Sequence, residues 1–421
     1  MVTATNNREF KRYRTGTHRT VPPAETLARA RPWLREMGIT RVANVTGLDR
    51  LGIPVVMATR PNSRSISVSQ GKGHELDAAK ASAVMESVET WHAERIRLPL
   101  RFAGAAELRA EGLGVADLER LPRTDRCEFD AETFSEQTPI FWIEGRNLLD
   151  DTHLWLPLEM VSTDYTLPQP PGCGHFAANT NGLASGNTLH EALCHAIYEV
   201  VERDADALWQ QSPVRKQQAR GVDPESINDP GCRALLSQFE RAGIEIKTWE
   251  VTSDIGIASF VCLAAGDDSD WADPEFGAGC HPAREIALSR ALTEAAQART
   301  TYIAGARDDI GAALYHPDQR RRRRTYCREL LGRHQPARSF GDVGTCDYDS
   351  MDGDLNSSLE QLRGTGIREV LAVNLSRTRI GINVAKVVIP GLEGAYGHGG
   401  EQYTPGERAR AMLNLPSGLA P

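Results

Sequence analysis

The sequence lacks a long uninterrupted apolar run, and its N-terminus lacks the apolar core of a secretory signal peptide. A membrane-spanning helix needs about 18 or more predominantly apolar residues in succession, and no stretch of that kind is present. The first residues, MVTATNNREFKRYRTGTHRT, are basic and polar, which excludes a cleaved secretory signal. These absences predict a soluble cytoplasmic protein that neither crosses nor binds a membrane.

Closely spaced cysteines and a surplus of positive charge are also missing. The eight cysteines are scattered without a CxxC pair, which argues against a structural zinc site or a disulfide framework. The formal net charge of -8 argues against a general nucleic-acid binder, because such proteins rely on an excess of lysine and arginine. Phosphate can still be bound locally.

Helix and strand patterns alternate irregularly along the 421 residues, which predicts a mixed α/β (α+β) fold with sheets packed against long helices. Helices are expected at 23–38, 74–95, 182–210, 232–243 and 283–305, and short surface helices over 98–129. Strands are expected at 52–61 and 65–70, as pairs within 139–161 and 245–266, and as two strands within 370–394. The arginine run 320–324 is expected in an exposed polar stretch.

The most informative stretch is GLASGNTLHEALCHAIYEVVERDADALWQ, residues 182–210, in which HEALCH resembles a zinc-protease motif. Two zinc-binding histidines on a helix must be four residues apart so that both rings point the same way. His190 and His195 are five apart, which separates them by roughly 140° around a helix. The spacing therefore argues against a zinc protease.

The glutamates of this helix do share a face. Glu191, Glu199 and Glu202 fall within roughly 80° of one another, and His195 joins them. Three apolar residues fall on the opposite side: Leu193, Ile197 and Val200. A solvated acidic face is the plain interpretation, but carboxylates without interleaved lysines repel one another, and a bound cation would relieve that repulsion.

Two further helices repeat the arrangement. In SAVMESVET, Ser82, Glu86 and Glu89 lie within roughly 60° of one another. In the helix at 283–305, three polar residues share a face at i, i+4 and i+7: Arg290, Glu294 and Gln297. Each pattern alone is also typical of an ordinary surface helix.

Before the SAVMESVET helix, the glycines of QGKG are expected to form a tight turn with Lys72 near the helix N-terminus, although an ordinary turn with a surface lysine also fits. Together the three helix faces and Lys72 offer clustered carboxylates with nearby cations. Carboxylates combined with substrate phosphates suit Mg²⁺ better than zinc. The residues therefore predict a metal-nucleotide site assembled from helix faces, whose reaction the spacing does not define.

The motifs SAVMESVET, ASGNTLHEALCHAIYEVVERDA and ALTEAAQAR, in this order, strongly resemble the YcaO family of ATP-dependent peptide-backbone-modifying enzymes. The resemblance runs from about Gly52 to Gly394. It implies a YcaO-type fold in which the helix faces form the ATP site. It also implies an N-terminal extension at 1–51, a catalytic domain at 52–400 and a tail at 401–421.

The resemblance implies a role for each motif residue. Four glutamates correspond to the Mg²⁺-binding positions of the family: Glu86, Glu89, Glu199 and Glu202. Six residues correspond to positions lining the nucleotide: Ser82, Asn187, Glu191, Arg203, Arg290 and Glu294. Gln297 matches the third motif, and Lys72 follows more loosely from GKG. Thr90 departs from the pattern, because the family usually has an arginine there.

The resemblance further implies phosphorylation of a backbone amide oxygen by ATP, after a nucleophile attacks the carbonyl carbon. A neighbouring side chain would give an azoline, an amine an amidine and sulfide a thioamide. The C-terminus lacks the PxPxP of many azoline-forming members, and GIPVVMATRPNSRSISVSQGKG resembles the subgroup that works with TfuA-type partners.

We therefore expect thioamide formation on a ribosomally made peptide or protein with a TfuA-like partner. A homodimer is compatible with the sequence. No catalytic residue is assigned. His195 could act as a general base, but a histidine that only balances the charge of its acidic neighbours fits the sequence equally well. A non-catalytic peptide-binding scaffold is the alternative from another class.

Overall fold

Antiparallel sheets and long helices make up the computed structural model, which describes residues 8–123, 134–267, 273–309, 311–332, 338–394 and 405–413. The strands are β1 Arg41–Asn44, β2 Val55–Thr59, β3 Val68–Lys72, β4 Leu100–Ala103, β5 Ile140–Asn147, β6 His153–Pro157, β7 Leu183–Gly186, β8 Glu245–Glu250, β9 Ser259–Ala265, β10 Glu275–Cys280, β11 Leu371–Asn374 and β12 Asn383–Val388. The mixed α/β class predicted from the sequence is confirmed.

The helices vary from one turn to six turns. They are α1 Pro23–Ala30, α2 Leu76–Ala93, α3 Ala105–Ala110, α4 Leu189–Gln210, α5 Val214–Gln218, α6 Pro230–Arg241, α7 Arg284–Ala304, α8 Pro317–Leu331, α9 Met351–Gly364 and α10 Glu407–Leu413. The three helices whose faces carried the sequence argument are the long helices α2, α4 and α7. Among the residues that the structure describes, none of the helices is both long and apolar enough to cross a membrane.

The first sheet has the order β1-β2-β3, and α2 packs on it. The predicted tight turn at QGKG is wrong, because Gly71 and Lys72 lie within β3. A Cβ at Gly71 would lie 2.1 Å from the backbone nitrogen of Ala83 in α2. The glycine is therefore required for close approach of strand and helix. This contact places Lys72 at the end of β3, beside the site described below.

The second sheet has the order β10-β9-β8, and α7 lies directly on its strand β10. The strand pair β8–β9 was predicted, whereas β10 was not. Two glycines of β10 allow the contact, because a Cβ at Gly277 would lie 2.2 Å from Ala295 N and one at Gly279 would lie 2.1 Å from Ala287 O. α7 is thus held against the sheet over two helical turns.

The third sheet has the order β4-β5-β11-β12-β7, with β6 paired to the other side of β5. α4 packs on β7 and β12. The prediction of short surface helices over 98–129 is only partly right: α3 is one, but Leu100–Ala103 forms strand β4. Residues 124–129 of that stretch lie outside the described residues, as does Cys127; the other seven cysteines are free thiols.

The arginine run predicted in an exposed polar stretch lies in α8, and its exposure is only partial. Arg320 and Arg324 contact Asp273 at 2.8 and 2.6 Å, and Arg323 contacts Glu275 at 2.6 Å. Arg321 and Arg322 remain exposed. The difference arises because Asp273 and Glu275 flank the start of β10, which the sequence did not reveal.

An N-terminal arm, residues 8–20, runs along the segment 347–354 and is held mainly by charge. Lys11 lies 2.8 Å from the buried carboxylate of Asp354, and Arg14 lies 2.7 Å from Asp347. Backbone hydrogen bonds join Lys11 N to Asp349 O and Met351 N to Glu9 O, both at 2.9 Å. The arm therefore ends at a fixed position, with Arg19 and Thr20 beside the N-terminus of α4.

Candidate functional site

Helices α2 and α4 place Glu86, Glu89 and Glu199 near one another, and Glu202 lies about one turn further along α4, near Glu294. Burial raises the pKa of Glu86 to about 7 and that of Glu89 to about 8, and Glu199 of α4 adds to both shifts. Burial likewise raises the pKa of Glu202 to about 7, with a further contribution from Glu294. Carboxylates from two helices therefore repel one another across a shared, poorly solvated space.

The neighbouring strands hold the two carboxylates of α2. Ser185, in β7, donates to Glu89 Oε1 from its hydroxyl at 2.6 Å and from its backbone nitrogen at 2.8 Å. The backbone nitrogen of Gln70 in β3 donates to Glu86 Oε2 at 3.4 Å. The Glu89 carboxylate is thus held against β7 and the Glu86 carboxylate against β3.

Cations border this carboxylate cluster on the side of α7. Lys72 forms a short ion pair with Glu294. Although burial disfavours ionisation of Glu294, Lys72 and Arg203 outweigh that effect and hold its pKa at about 2. Arg203 and Arg290 also act on Glu199 and Glu202. Three basic side chains therefore converge on the cluster from β3, α4 and α7.

Glu191 lies at the edge of the site, under the N-terminal arm. Its carboxylate is buried and accepts hydrogen bonds from Thr20 N at 2.9 Å and Thr20 Oγ1 at 2.7 Å. Its other oxygen accepts from Asn187 Nδ2 at 3.0 Å, and Arg19 Nε lies 3.8 Å away. The structure thus joins Glu191 and Asn187 to the arm, whose Arg19 interacts electrostatically with both Glu191 and Glu89.

The remaining predicted residues flank the cluster. Ser82 precedes Glu86 by about one turn of α2, and Gln297 follows Glu294 by about one turn of α7. Both side chains are half-buried. Thr90, where the resemblance implies an arginine, is buried and accepts a hydrogen bond from Arg60 at 2.6 Å.

Sequence reasoning missed two basic residues of the site. Lys386 lies in β12, is 1% exposed, and donates from Nζ to Asn179 O at 2.7 Å. Burial lowers its pKa to about 7, opposed by Glu199. A lone lysine in the apolar strand NVAKVV was the available signal. The other is Arg19, whose arm has no periodicity that could have placed it.

The histidines of HEALCH occupy different surroundings. His190 Nδ1 lies 3.2 Å from Asp352 and 3.4 Å from Glu9 of the arm. His195 is half-buried, and burial together with Arg19 lowers its pKa well below the usual range. A neutral ring does not neutralise acidic neighbours, so that interpretation of His195 is not supported.

A second group, His18, His281 and Asp354, has ligand atoms within 4.8 Å of one another. The Lys11 ammonium already contacts Asp354 at 2.8 Å, and His281 Nδ1 accepts a hydrogen bond from Ala283 N at 2.9 Å. A neutral ring that accepts at Nδ1 carries its proton on Nε2, so it lacks the free ligand atom that a metal needs. This group is an anchor for the arm.

The main cluster does fit a divalent cation and a nucleotide. Two buried atoms of these side chains, Glu202 Oε2 and Arg290 Nε, lack a hydrogen-bond partner among the described residues. Clustered carboxylates with raised pKa values favour a hard cation, and the bordering lysines and arginines favour phosphate oxygens. The same donor set contains no described cysteine or histidine pair suited to zinc.

Thr20→Val is expected to lower the free energy of unfolding by about 1–3 kcal/mol, because the buried Glu191 carboxylate loses one hydroxyl donor. Urea unfolding monitored by tryptophan fluorescence would measure the change. Thr17→Val is the matched control: Thr17 lies on the same arm, and its hydroxyl has no hydrogen-bond partner among the described residues. Equal losses in both variants would show that the arm does not depend on the Glu191 contact.

A family model described as YcaO cyclodehydratase, ATP- and Mg²⁺-binding, matches residues 70–393 of the chain. A Rhizobium leguminosarum bv. trifolii protein, described as an uncharacterized protein in the tfuA 3′ region, is 38% identical over 385 residues. The match covers 89% of this chain and 88% of that protein. An uncharacterized protein of Methanothermobacter thermautotrophicus is 36% identical over 387 residues, with 89% and 94% covered.

Solved structures share the fold. A heterocyclase in complex with substrate and cofactor superposes with a TM-score of 0.73 at 23% identity, covering 92% of this chain and 54% of that one. This chain therefore spans about half the length of that heterocyclase. The structure of YcaO from Methanopyrus kandleri bound with AMPPCP and Mg²⁺ gives a TM-score of 0.71 at 21% identity, covering 91% and 94%. At these identities the similarity establishes the fold alone.

Proposed function

The chain belongs to the YcaO family, whose members are described as binding ATP and Mg²⁺, and on that premise we propose that it activates a peptide backbone amide for thioamide formation. The observation that carries the activation step is the cluster of Glu86, Glu89, Glu199 and Glu202, with raised pKa values beside lysine and arginine side chains. The substrate class is a ribosomally made peptide or protein.

The chain's residues divide into a metal side and a phosphate side. The four glutamates would hold Mg²⁺ once they are ionised, and Lys72, Arg203 and Arg290 would bind phosphate oxygens. Ser82, Asn187, Glu191, Glu294 and Gln297 would line the nucleotide. Bound ATP supplies a phosphoryl group that converts the amide oxygen into phosphate, a good leaving group.

The choice of a thioamide over an azoline as the product rests on the description of a relative. The Rhizobium protein is described by its position 3′ of tfuA. That description supports a TfuA-like partner and, through the subgroup it indicates, sulfide as the nucleophile. The net change would then be amide, ATP and hydrogen sulfide to thioamide, ADP and phosphate. Azoline formation is the second candidate, favoured by the fold shared with a substrate-bound heterocyclase.

Mass spectrometry of the peptide distinguishes these products. We expect a gain of about 16 Da for exchange of oxygen by sulfur and a loss of about 18 Da for ring closure, with ADP formed in both cases. The test combines the protein with ATP, Mg²⁺, sulfide, the protein encoded by a neighbouring tfuA-like gene and a peptide encoded nearby. An amine in place of sulfide tests amidine formation.

Omission of one component at a time separates the candidates. If the reaction without sulfide shows no gain in peptide mass but still forms ADP at a lower level, thioamide formation is supported. Unchanged peptide mass in every combination, together with tight binding of the peptide and absence of Mg²⁺-dependent AMPPCP binding, would instead support a peptide-binding scaffold. Size-exclusion chromatography with light scattering tests whether the protein forms a homodimer.

A further inference from the structure

A buried arginine, Arg60, ties helix α2 to the first sheet. Arg60 directly follows β2 and is 2% exposed. Its Nη1 donates to the carbonyl of Ser87 at 3.1 Å and to the hydroxyl of Thr90 at 2.6 Å. Its Nη2 donates to Glu94 Oε2 at 2.5 Å, so one guanidinium holds the last two turns of α2.

Arg60 also contacts two further segments of the chain. Its Nε lies 3.3 Å from the carbonyl of Met37, which follows α1, and the backbone nitrogen of Arg60 donates to Ser67 O at 2.7 Å, just before β3. Arg60 therefore links α2, the β2–β3 connection and the segment that follows α1. Buried charged groups of this kind are costly unless all their partners are present.

The hydrogen bonds of Arg60 to α2 oppose the repulsion between the carboxylates of the site. Glu86 and Glu89 project from α2 toward Glu199 of α4, which contributes to the raised pKa of both. Like charges that are held in a poorly solvated space push their helices apart. A cation can be shared by both helices only if α2 is prevented from moving away before the cation arrives.

We propose that Arg60 is a positioning residue that holds α2 at the distance from α4 at which Glu86, Glu89 and Glu199 share one cation. This inference rests on the assignment of those glutamates to the Mg²⁺ site. Arg60 itself does not reach the reacting groups, because its described contacts are with Met37, Ser67 and the buried side of α2.

The test measures how much Mg²⁺ is needed for AMPPCP binding, by calorimetry at a temperature well below unfolding. In Arg60→Ala, the Mg²⁺ concentration for half-maximal AMPPCP binding is expected to rise about tenfold, and Arg60→Lys is expected to restore part of this loss. Arg95→Ala is the matched control. Arg95 contacts the same Glu94 carboxylate at 2.5 Å, but it is 29% exposed and lies at the surface end of α2.

A second variant keeps the test valid if Arg60→Ala does not fold. The double variant Arg60→Met/Glu94→Gln removes both buried charges at similar volume, a change that proteins often tolerate. It is expected to fold and still to need about tenfold more Mg²⁺, because the bonds to Ser87 and Thr90 are lost.

The outcomes separate a positioning role from a structural one. If the Arg60 variants melt at lower temperature but need no more Mg²⁺ than the native protein, the inference is overturned. An equal shift in Arg95→Ala would also overturn it, because the charge on Glu94 would then be the cause. If the native protein itself shows no Mg²⁺-dependent AMPPCP binding, the proposed site fails first.

Discussion

Glu202→Gln is expected to weaken Mg²⁺-dependent AMPPCP binding by about a hundredfold and to stop ADP formation. Glutamine keeps the volume of the side chain but replaces a carboxylate oxygen by an uncharged amide oxygen, which binds Mg²⁺ less strongly. Glu202 is 3% exposed, and its Oε2 has no partner among the described residues. Calorimetry with and without Mg²⁺ measures the loss.

The same substitution is expected to raise the stability of the nucleotide-free protein. Glu202 lies near Glu294 in a buried position, so its charge costs free energy until a cation binds. Glu240→Gln, at an exposed position of α6, is the matched control and should change neither binding nor melting temperature. Native-like AMPPCP binding by Glu202→Gln would remove Glu202 from the proposed Mg²⁺ ligands.

The parts of this site that the sequence predicted are those set by short-range geometry. A helix fixes which residues share a face, so the spacing of Glu199 and Glu202 placed both on the cluster side of α4 without knowledge of the fold. Glu86 and Glu89 followed from the same rule on α2. That these faces meet was an inference from shared chemistry and from the family resemblance.

The parts that the sequence did not predict depend on contacts between distant segments. Lys386 reaches Glu199 only because β12 pairs with β7 beneath α4. The two glycines of QGKG predict a turn because glycine is common in turns, whereas Gly71 serves the contact of β3 with α2. Contacts between separate segments leave no local sequence pattern. The sequence therefore could not decide whether Gly71 forms a turn or allows close contact between a strand and a helix.

Mg²⁺ binding is expected to become stronger with rising pH between about pH 6 and pH 8, because it requires ionised carboxylates. The pKa values of Glu86, Glu89 and Glu202, raised to about 7, about 8 and about 7, leave these groups largely protonated at the lower limit. Release of roughly two protons per bound cation corresponds to about a hundredfold in affinity per pH unit. Calorimetry in two buffers that differ in ionisation enthalpy counts the released protons.

Glu202→Gln assigns part of this release to one residue. The variant should release about one proton fewer than the native protein near pH 6. Protonation of the free nucleotide is the same in both experiments, so it cancels in the comparison. The folded-state pKa of Glu202, about 7, lies above its ordinary value of 4.5, so its destabilising effect is absent below pH 4.5, grows as the pH rises and is nearly complete at pH 7. The stability gained by Glu202→Gln should therefore be small near pH 5 and largest above about pH 7.5, and a gain independent of pH would show that Glu202 does not titrate in this range.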